Sequence, residues 1–171
     1  MKKNIKCELD QTSLDKAMKE LTDYKNSIND KLKAFVTLLL QDGVQVAKAS
    51  LASTVGDSTN GSIGFGINDG GDIVTAYIAL QGEDALFIEF GAGIALNTGA
   101  QHPLAGQFGY GVGTYPSATP PNKAINPGYW YYREDGQLKR SIGTGASMPI
   151  YHAAENIRNN AIKRATEIFR S

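Results

Sequence analysis

One cysteine, Cys7, in 171 residues leaves no pair for an internal disulfide, which excludes a bridged secreted scaffold. Net charge is also missing: 17 basic residues face 17 acidic ones, so the chain as a whole carries no electrostatic footprint for nucleic acid or an anionic membrane. No apolar run approaches the roughly 20 residues of a membrane-spanning helix. The basic start, Met1-Lys2-Lys3-Asn4, lacks the apolar stretch of a secretory signal, and the expectation is an intracellular product or one released only by lysis. Charge is scarcest from Gly91 to Tyr132, where Lys123 is the sole Lys, Arg, Asp or Glu. Glycine, proline and aromatics crowd that stretch instead. It is too apolar for a solvated linker and too irregular for a core element, and loops of this length are usually functional or disordered. Such a segment is expected to find its order against another surface, the habit of a protein that assembles.

The length suits a single domain over residues 1–171, with 1–11 as an N-terminal tail and 94–128 as an extended interaction loop. From Ser13 onward Leu14, Met18, Leu21, Ile28, Leu32, Phe35 and Leu39 fall on a helical stripe, interrupted by Lys25. Thr12 followed by Asp15 resembles a capping arrangement that would start the helix there. The stripe is short for a coiled coil and reads as an amphipathic helix lying across a sheet. It either breaks at Asp42-Gly43 or runs through to about Ser53. Ile63, Phe65 and Ile67 then alternate with Ser62, Gly64 and Gly66, a strand with a bare second face. The turn Asn68-Asp69-Gly70-Gly71 returns the chain into a strand from Ile73 to Leu80. Asp84 is placed to cap a short helix, Ala85 to Phe90, ending at Gly91. A second hairpin turns at Asp135-Gly136, between Tyr129–Tyr132 and Gln137–Ile142. Pro149 opens a last helix whose expected buried stripe is Ile150, Ala154, Ile157, Ala161, Ala165 and Ile168. The fold class is therefore α+β: a long N-terminal amphipathic helix and a C-terminal helix packed on a small, mainly antiparallel sheet, with a long Gly/Pro/aromatic loop.

Catalytic patterns are weak. Gly109-Tyr110-Gly111-Val112-Gly113 and the glycines of Gly61–Gly66 do not join a strand to a following helix, and no Gly-Lys-Ser/Thr follows, so no phosphate cradle forms. The carboxylates around Asn68–Asp72 are bunched in a turn and lack the distal Glu of a calcium loop. His102, His152 and Cys7 are too scattered for a zinc site, and no serine lies in a nucleophile elbow. No catalytic, metal or cofactor-binding residue is assigned. Glu89 stands out as a carboxylate inside Leu86-Phe87-Ile88-Glu89-Phe90, where burial is costly without a partner. It is either a general base with a raised pKa or, the preferred reading, a structural acceptor for a nearby backbone amide or for an arginine across a subunit boundary. Gly128 to Lys139 resembles a choline-binding or related cell-wall repeat. Those modules build their ligand site between several stacked copies, and this chain has one.

Four landmarks in order resemble the phage tail-component family typified by the gene 10 product of bacteriophage HK97. They are the amphipathic N-terminal helix leading into a hairpin; Phe87-Ile88-Glu89-Phe90-Gly91-Ala92-Gly93, similar to the family's "(Tyr/Phe)-x-Glu-(Phe/Tyr)-Gly-Thr-Gly"; a variable loop ending in a strand with a tryptophan, Trp130; and Gly145-Ala146-Ser147-Met148-Pro149 running into Ala153 and Ala154. Ala92 departs from the usual threonine, and the loop from Ile94 to Gly128 is long for the family. The resemblance covers about residues 10 to 170. It implies a structural, non-enzymatic virion protein of the neck and tail-completion region, made in the bacterial host cytoplasm. Such a protein forms a homo-oligomeric ring, expected to be a hexamer, that joins tail to head connector, tail terminator or tail tube proteins. DNA would only pass through the lumen, and no membrane is involved. Aromatics enrich interface cores, which nominates Phe108, Tyr110, Tyr115, Tyr129 and Trp130 as interface residues. Glu89, Phe90, Gly91, Gly93 and Pro149 are nominated as the structural motif.

Overall fold

The computed structural model describes residues 4–6, 8–71, 73–93, 96, 99–112 and 129–170. Helix α1 runs unbroken from Gln11 to Ala52. Its N-cap is Asp10, whose carboxylate accepts from Ser13 N at 2.9 Å, rather than Thr12. The helix therefore begins two residues before Ser13 and takes in the last residue assigned to the tail. An extended residue with a carboxylate acceptor satisfies the first orphan amides well. Asp42-Gly43 does not break the helix. Gly43 is buried at the crossing of α1 with helix α3 (Pro149–Arg170). A Cβ there would sit 2.6 Å from Ile157 Cδ1 and 2.7 Å from Ile78 Cδ1. The close approach offsets the helix penalty of glycine, about 1 kcal/mol.

The two helices make the most extensive interface of the fold. Phe35 meets Phe169 edge-on with centroids 6.2 Å apart. The Arg164 guanidinium grips both Asp42 oxygens at 2.8 and 2.9 Å, holding that carboxyl below its usual pKa range. Beneath the helices lies an antiparallel hairpin, β1 (Ser62–Asp69) and β2 (Val74–Gln81). Its register pairs Ile63 with Leu80, Phe65 with Ile78 and Ile67 with Ala76, so these six share one face and meet α1. The opposite face is bare because Gln81 and Tyr77 fold across it: Cβ atoms at Gly64 and Gly66 would meet those side chains at 3.0 and 2.8 Å. Ile73 belongs to the turn and not to β2.

Helix α2 spans Ala85–Phe90, as the sequence predicts. Asp84 makes no side-chain cap for it. Its carboxylate instead accepts from Thr59 N at 3.0 Å and Asn60 N at 2.9 Å, fastening the loop before β1. After α2 come β3 (Ala92–Gly93), a 3-10 turn at Ala105–Phe108, and β4 (Gly111–Val112), which pairs in parallel with β3. The stretch expected as an extended loop thus carries local structure in its described part. Strands β5 (Trp130–Glu134) and β6 (Gln137–Ser141) close on Asp135 and Gly136, both at positive φ, the backbone of a tight hairpin turn. The sheet is divided into three two-stranded pieces.

The core is small. Among the described residues, Leu40, Val44, Ala47, Ile88, Phe90, Ala92, Ala105, Met148, Pro149 and Ala153 are buried apolar residues. On α3 the buried alanine is Ala153, while Ala154 is exposed, because that part of the expected stripe faces a gap beside β2. The N-terminal half of α1 leaves the core altogether: Leu14, Met18, Leu21 and Ile28 are exposed. The stripe lies across the sheet only in its C-terminal half.

Gly43→Leu is expected to lower stability by about 1–3 kcal/mol, since overpacking a tight crossing forces side chains off their rotamers. The check is the urea midpoint, with Gln41→Leu, an exposed neighbour on the same helix, left near the wild-type value.

Candidate functional site

The residues nominated as a structural motif converge on the start of α3. Pro149 has no N–H to satisfy. The next two amides, Ile150 N and Tyr151 N, each donate to one oxygen of Glu89, both at 2.9 Å. His152 N then bonds Met148 O at 3.0 Å, which begins the helix ladder. All the orphan donors of the first turn are accounted for. The carboxylate also sits where the helix dipole favours negative charge. Glu89 is buried, with 8% of its surface exposed, and it is the structural acceptor that the sequence favoured.

The neighbouring backbone holds this clamp in position. Ile88 O accepts from Ser147 N at 3.0 Å, and Gly91 and Gly93 take φ of 73° and 79°. Between them, Ala92 exchanges two hydrogen bonds with Thr144, at 2.8 and 3.0 Å. That crossing demands glycine at Gly143, where a Cβ would lie 2.4 Å from Ala92 O with φ at 94°.

His102 completes the node. Its Nδ1 accepts from Leu104 N at 3.1 Å, so the proton is on Nε2, which faces Glu89 Oε1 at 3.5 Å. Phe90 and Tyr151 wall it in edge-on, with ring centroids 4.5 and 5.1 Å away. Burial lowers its pKa below the ordinary 6.5, Glu89 opposes that shift, and His152 adds to it. The ring is neutral at physiological pH, and both nitrogens are engaged. Sequence reasoning gave this histidine no role. The signal was a lone carboxylate in an apolar helix and a histidine in an uncharged loop, two polar groups that must each find a partner when buried.

The nominated interface aromatics divide. Phe108 stacks on Phe90 at 5.2 Å yet stays 58% exposed. Tyr110 stacks on Phe90 and meets Phe87 edge-on, both at 5.6 Å. These two find order, at least in part, against their own chain. Tyr129 lies 4.2 Å beneath the Arg140 guanidinium, a cation–π contact away from the Glu89 node. Trp130 is in β5, its side chain outside the described residues, and Tyr115 lies outside them entirely.

Three apolar grooves flank the hairpin. One of about 540 Å³ runs between α1 and the outer edge of β1, along Phe65, Gly66 and Ile67. Two more, of about 380 and 470 Å³, follow β2 from Val74 to Leu80 on the side of α3, and both are lined by Ile78, Ile150 and Ala154. Glu89 and His102 form the floor of the second. Among the described residues no group of three His, Cys, Asp or Glu could hold a metal ion, and no helix is long and apolar enough to cross a membrane. No protein-family model matches the chain, and comparison with curated proteins and with solved structures gives no match.

Removing the carboxylate in Glu89→Ala strands two amides, and is expected to cost about 2 kcal/mol or more. Glu89→Gln, which keeps one acceptor oxygen, should cost less, as thermal unfolding would reveal. The histidine makes a pH prediction. Between its depressed folded pKa and 6.5 the unfolded chain binds a proton that the folded chain refuses, so stability falls as pH drops through that window. The fall in Tm from pH 7.5 to 5.5 should be smaller in His102→Gln than in the wild type.

Proposed function

We propose that this chain is a structural subunit of a phage or phage-tail-like particle. It acts in the neck and tail-completion region, where copies form a ring joining the tail to the head connector or the tail terminator. The observation that carries this reading is a mismatch of widths. Two packed helices lie about 10 Å apart axis to axis and cover roughly 20 Å, whereas two strands spaced about 4.8 Å apart cover half of that. The α1–α3 layer therefore overhangs the hairpin, and apolar grooves open beside both of its strands. A subunit that leaves this much apolar surface uncovered is built to be covered by a neighbour.

The order of sequence landmarks supports the same reading, and the landmarks have a physical basis. Phe90-Gly91-Ala92-Gly93 is a backbone crossing, and Met148-Pro149 opens a helix capped from a distance by Glu89. Both are scaffold features. The geometry of Glu89 supports a non-enzymatic role, since each oxygen is already committed to a helix amide. The exposed stripe on the first half of α1 offers a second contact, suited to a neighbouring ring of the neck.

Light scattering over a range of concentrations, with and without head or tail extracts, tests this. The expected outcome is a closed oligomer of the 18.3 kDa chain, or a monomer that joins particles only while Gly91–Tyr132 is intact. A monomer at every concentration that also ignores both kinds of particle would overturn it.

A further inference from the structure

We propose that the β5–β6 hairpin of one copy docks along the free edge of β2 in the next copy, beneath α3, and extends its sheet. This rests on the assembly reading above and specifies the contact that would build the ring.

The acceptor is defined by backbone as well as by side chains. β2 pairs with β1 alone among the described residues, so alternate N–H and C=O groups of Val74–Gln81 point outward, unpaired, into the gap beside α3. A helix or a lipid tail cannot satisfy such a row; an extended strand can. Eight residues give an edge of about 27 Å at roughly 3.4 Å per residue. The gap is apolar, and Ala154 projects into it from above as a small exposed side chain. Among the described residues its lining holds no Lys, Arg or Asp, and its Glu89 and His102 are occupied with each other and with backbone amides.

The donor must be a strand with no helix on its own back, or it would collide with α3. That excludes the β1 strand of a second copy, which carries α1 over its inward face. Among the described residues the β5–β6 hairpin qualifies. Its two strands pack chiefly on each other, and Tyr131 and Leu138 lie 57% and 64% exposed. The register, Tyr131 opposite Arg140 and Arg133 opposite Leu138, puts those two apolar side chains on one face, diagonal to each other, with the long stems of Arg133 and Arg140 beside them. A lone two-stranded hairpin is marginal in water, so this arm gains order by docking. Its five-residue strands, about 17 Å long, fit within the β2 edge. Donor and acceptor are different patches of one chain, so the contact is head-to-tail and closes into a ring when the rotation allows.

Complementation tests it. Ala154→Arg blocks the acceptor and Leu138→Asp spoils the donor; both positions are exposed, so both variants should fold. Each alone should fall to a monomer, while an equimolar mixture should give a capped dimer, since one intact donor then meets one intact acceptor. An independent arm uses Cys7→Ser with Ala154→Cys and Leu138→Cys, which under mild oxidation should link copies in a ladder. If the wild type assembles and the two variants assemble equally well, the strand contact is wrong and the assembly reading stands. A wild type that stays monomeric, with mixtures that do the same, sinks the strand contact, and it sinks the assembly reading as well only if that monomer also ignores head and tail particles. Slow, concentration-independent hydrogen exchange along the outer edge of β2 in a monomer would show that the chain fills its own groove, which also overturns the proposal.

Discussion

Everything at the centre of this molecule depends on a carboxylate being aimed at the start of a helix. Glu89 comes from a six-residue helix too short to be stable alone. The α3 helix begins with a proline, just after a left-handed Met148, and has two amides that would otherwise be buried or half-buried donors without acceptors. The two problems solve each other: the charge is neutralised by dipoles, and the dipoles are satisfied by the charge. Once α2 and α3 are tied this way, Ala92 is held against Thr144, the 3-10 turn is drawn onto Phe90, and His102 is enclosed.

That tied centre contrasts with the periphery. Surface ion pairs such as Lys33 with Asp69, at 2.9 Å between exposed side chains, contribute little. The hairpin, the projecting half of α1 and the β5–β6 arm each have one side with nothing against it among the described residues. Local stability follows contact density, so the rigid part is the α1–α3–Glu89 frame and the adaptable parts are those offered outward. A firm frame with unfinished edges suits the proposed assembly, in which neighbours would complete the order.

Much of this was legible in the residues. Strand periodicity at Ile63, Phe65 and Ile67, the positive-φ turn residues, and Pro149 at a helix start are local signals, carried by side chains within a few positions of one another. The α+β plan follows from their order. The candidate site was half legible: an isolated carboxylate among apolar residues must have a partner, but that partner lies sixty residues away in two backbone amides that every residue except proline possesses. No side-chain pattern marks them. The cap at Asp10 in place of Thr12 was missed because two acceptors compete within one turn, and backbone geometry chooses between them.

By itself, then, the sequence determined the elements, their order, and the fact that Glu89 needed burial chemistry, because these are matters of period, turn preference and desolvation cost. Tertiary structure alone decided the rest. Gly43 is a crossing point and not a break, since only the approach of Ile157 and Ile78 gives a missing Cβ its purpose. Ala153 turned inward and Ala154 outward because a helix facing two strands has more apolar width than the strands can cover. That mismatch is a property of how layers meet, and no stretch of the chain holds it alone.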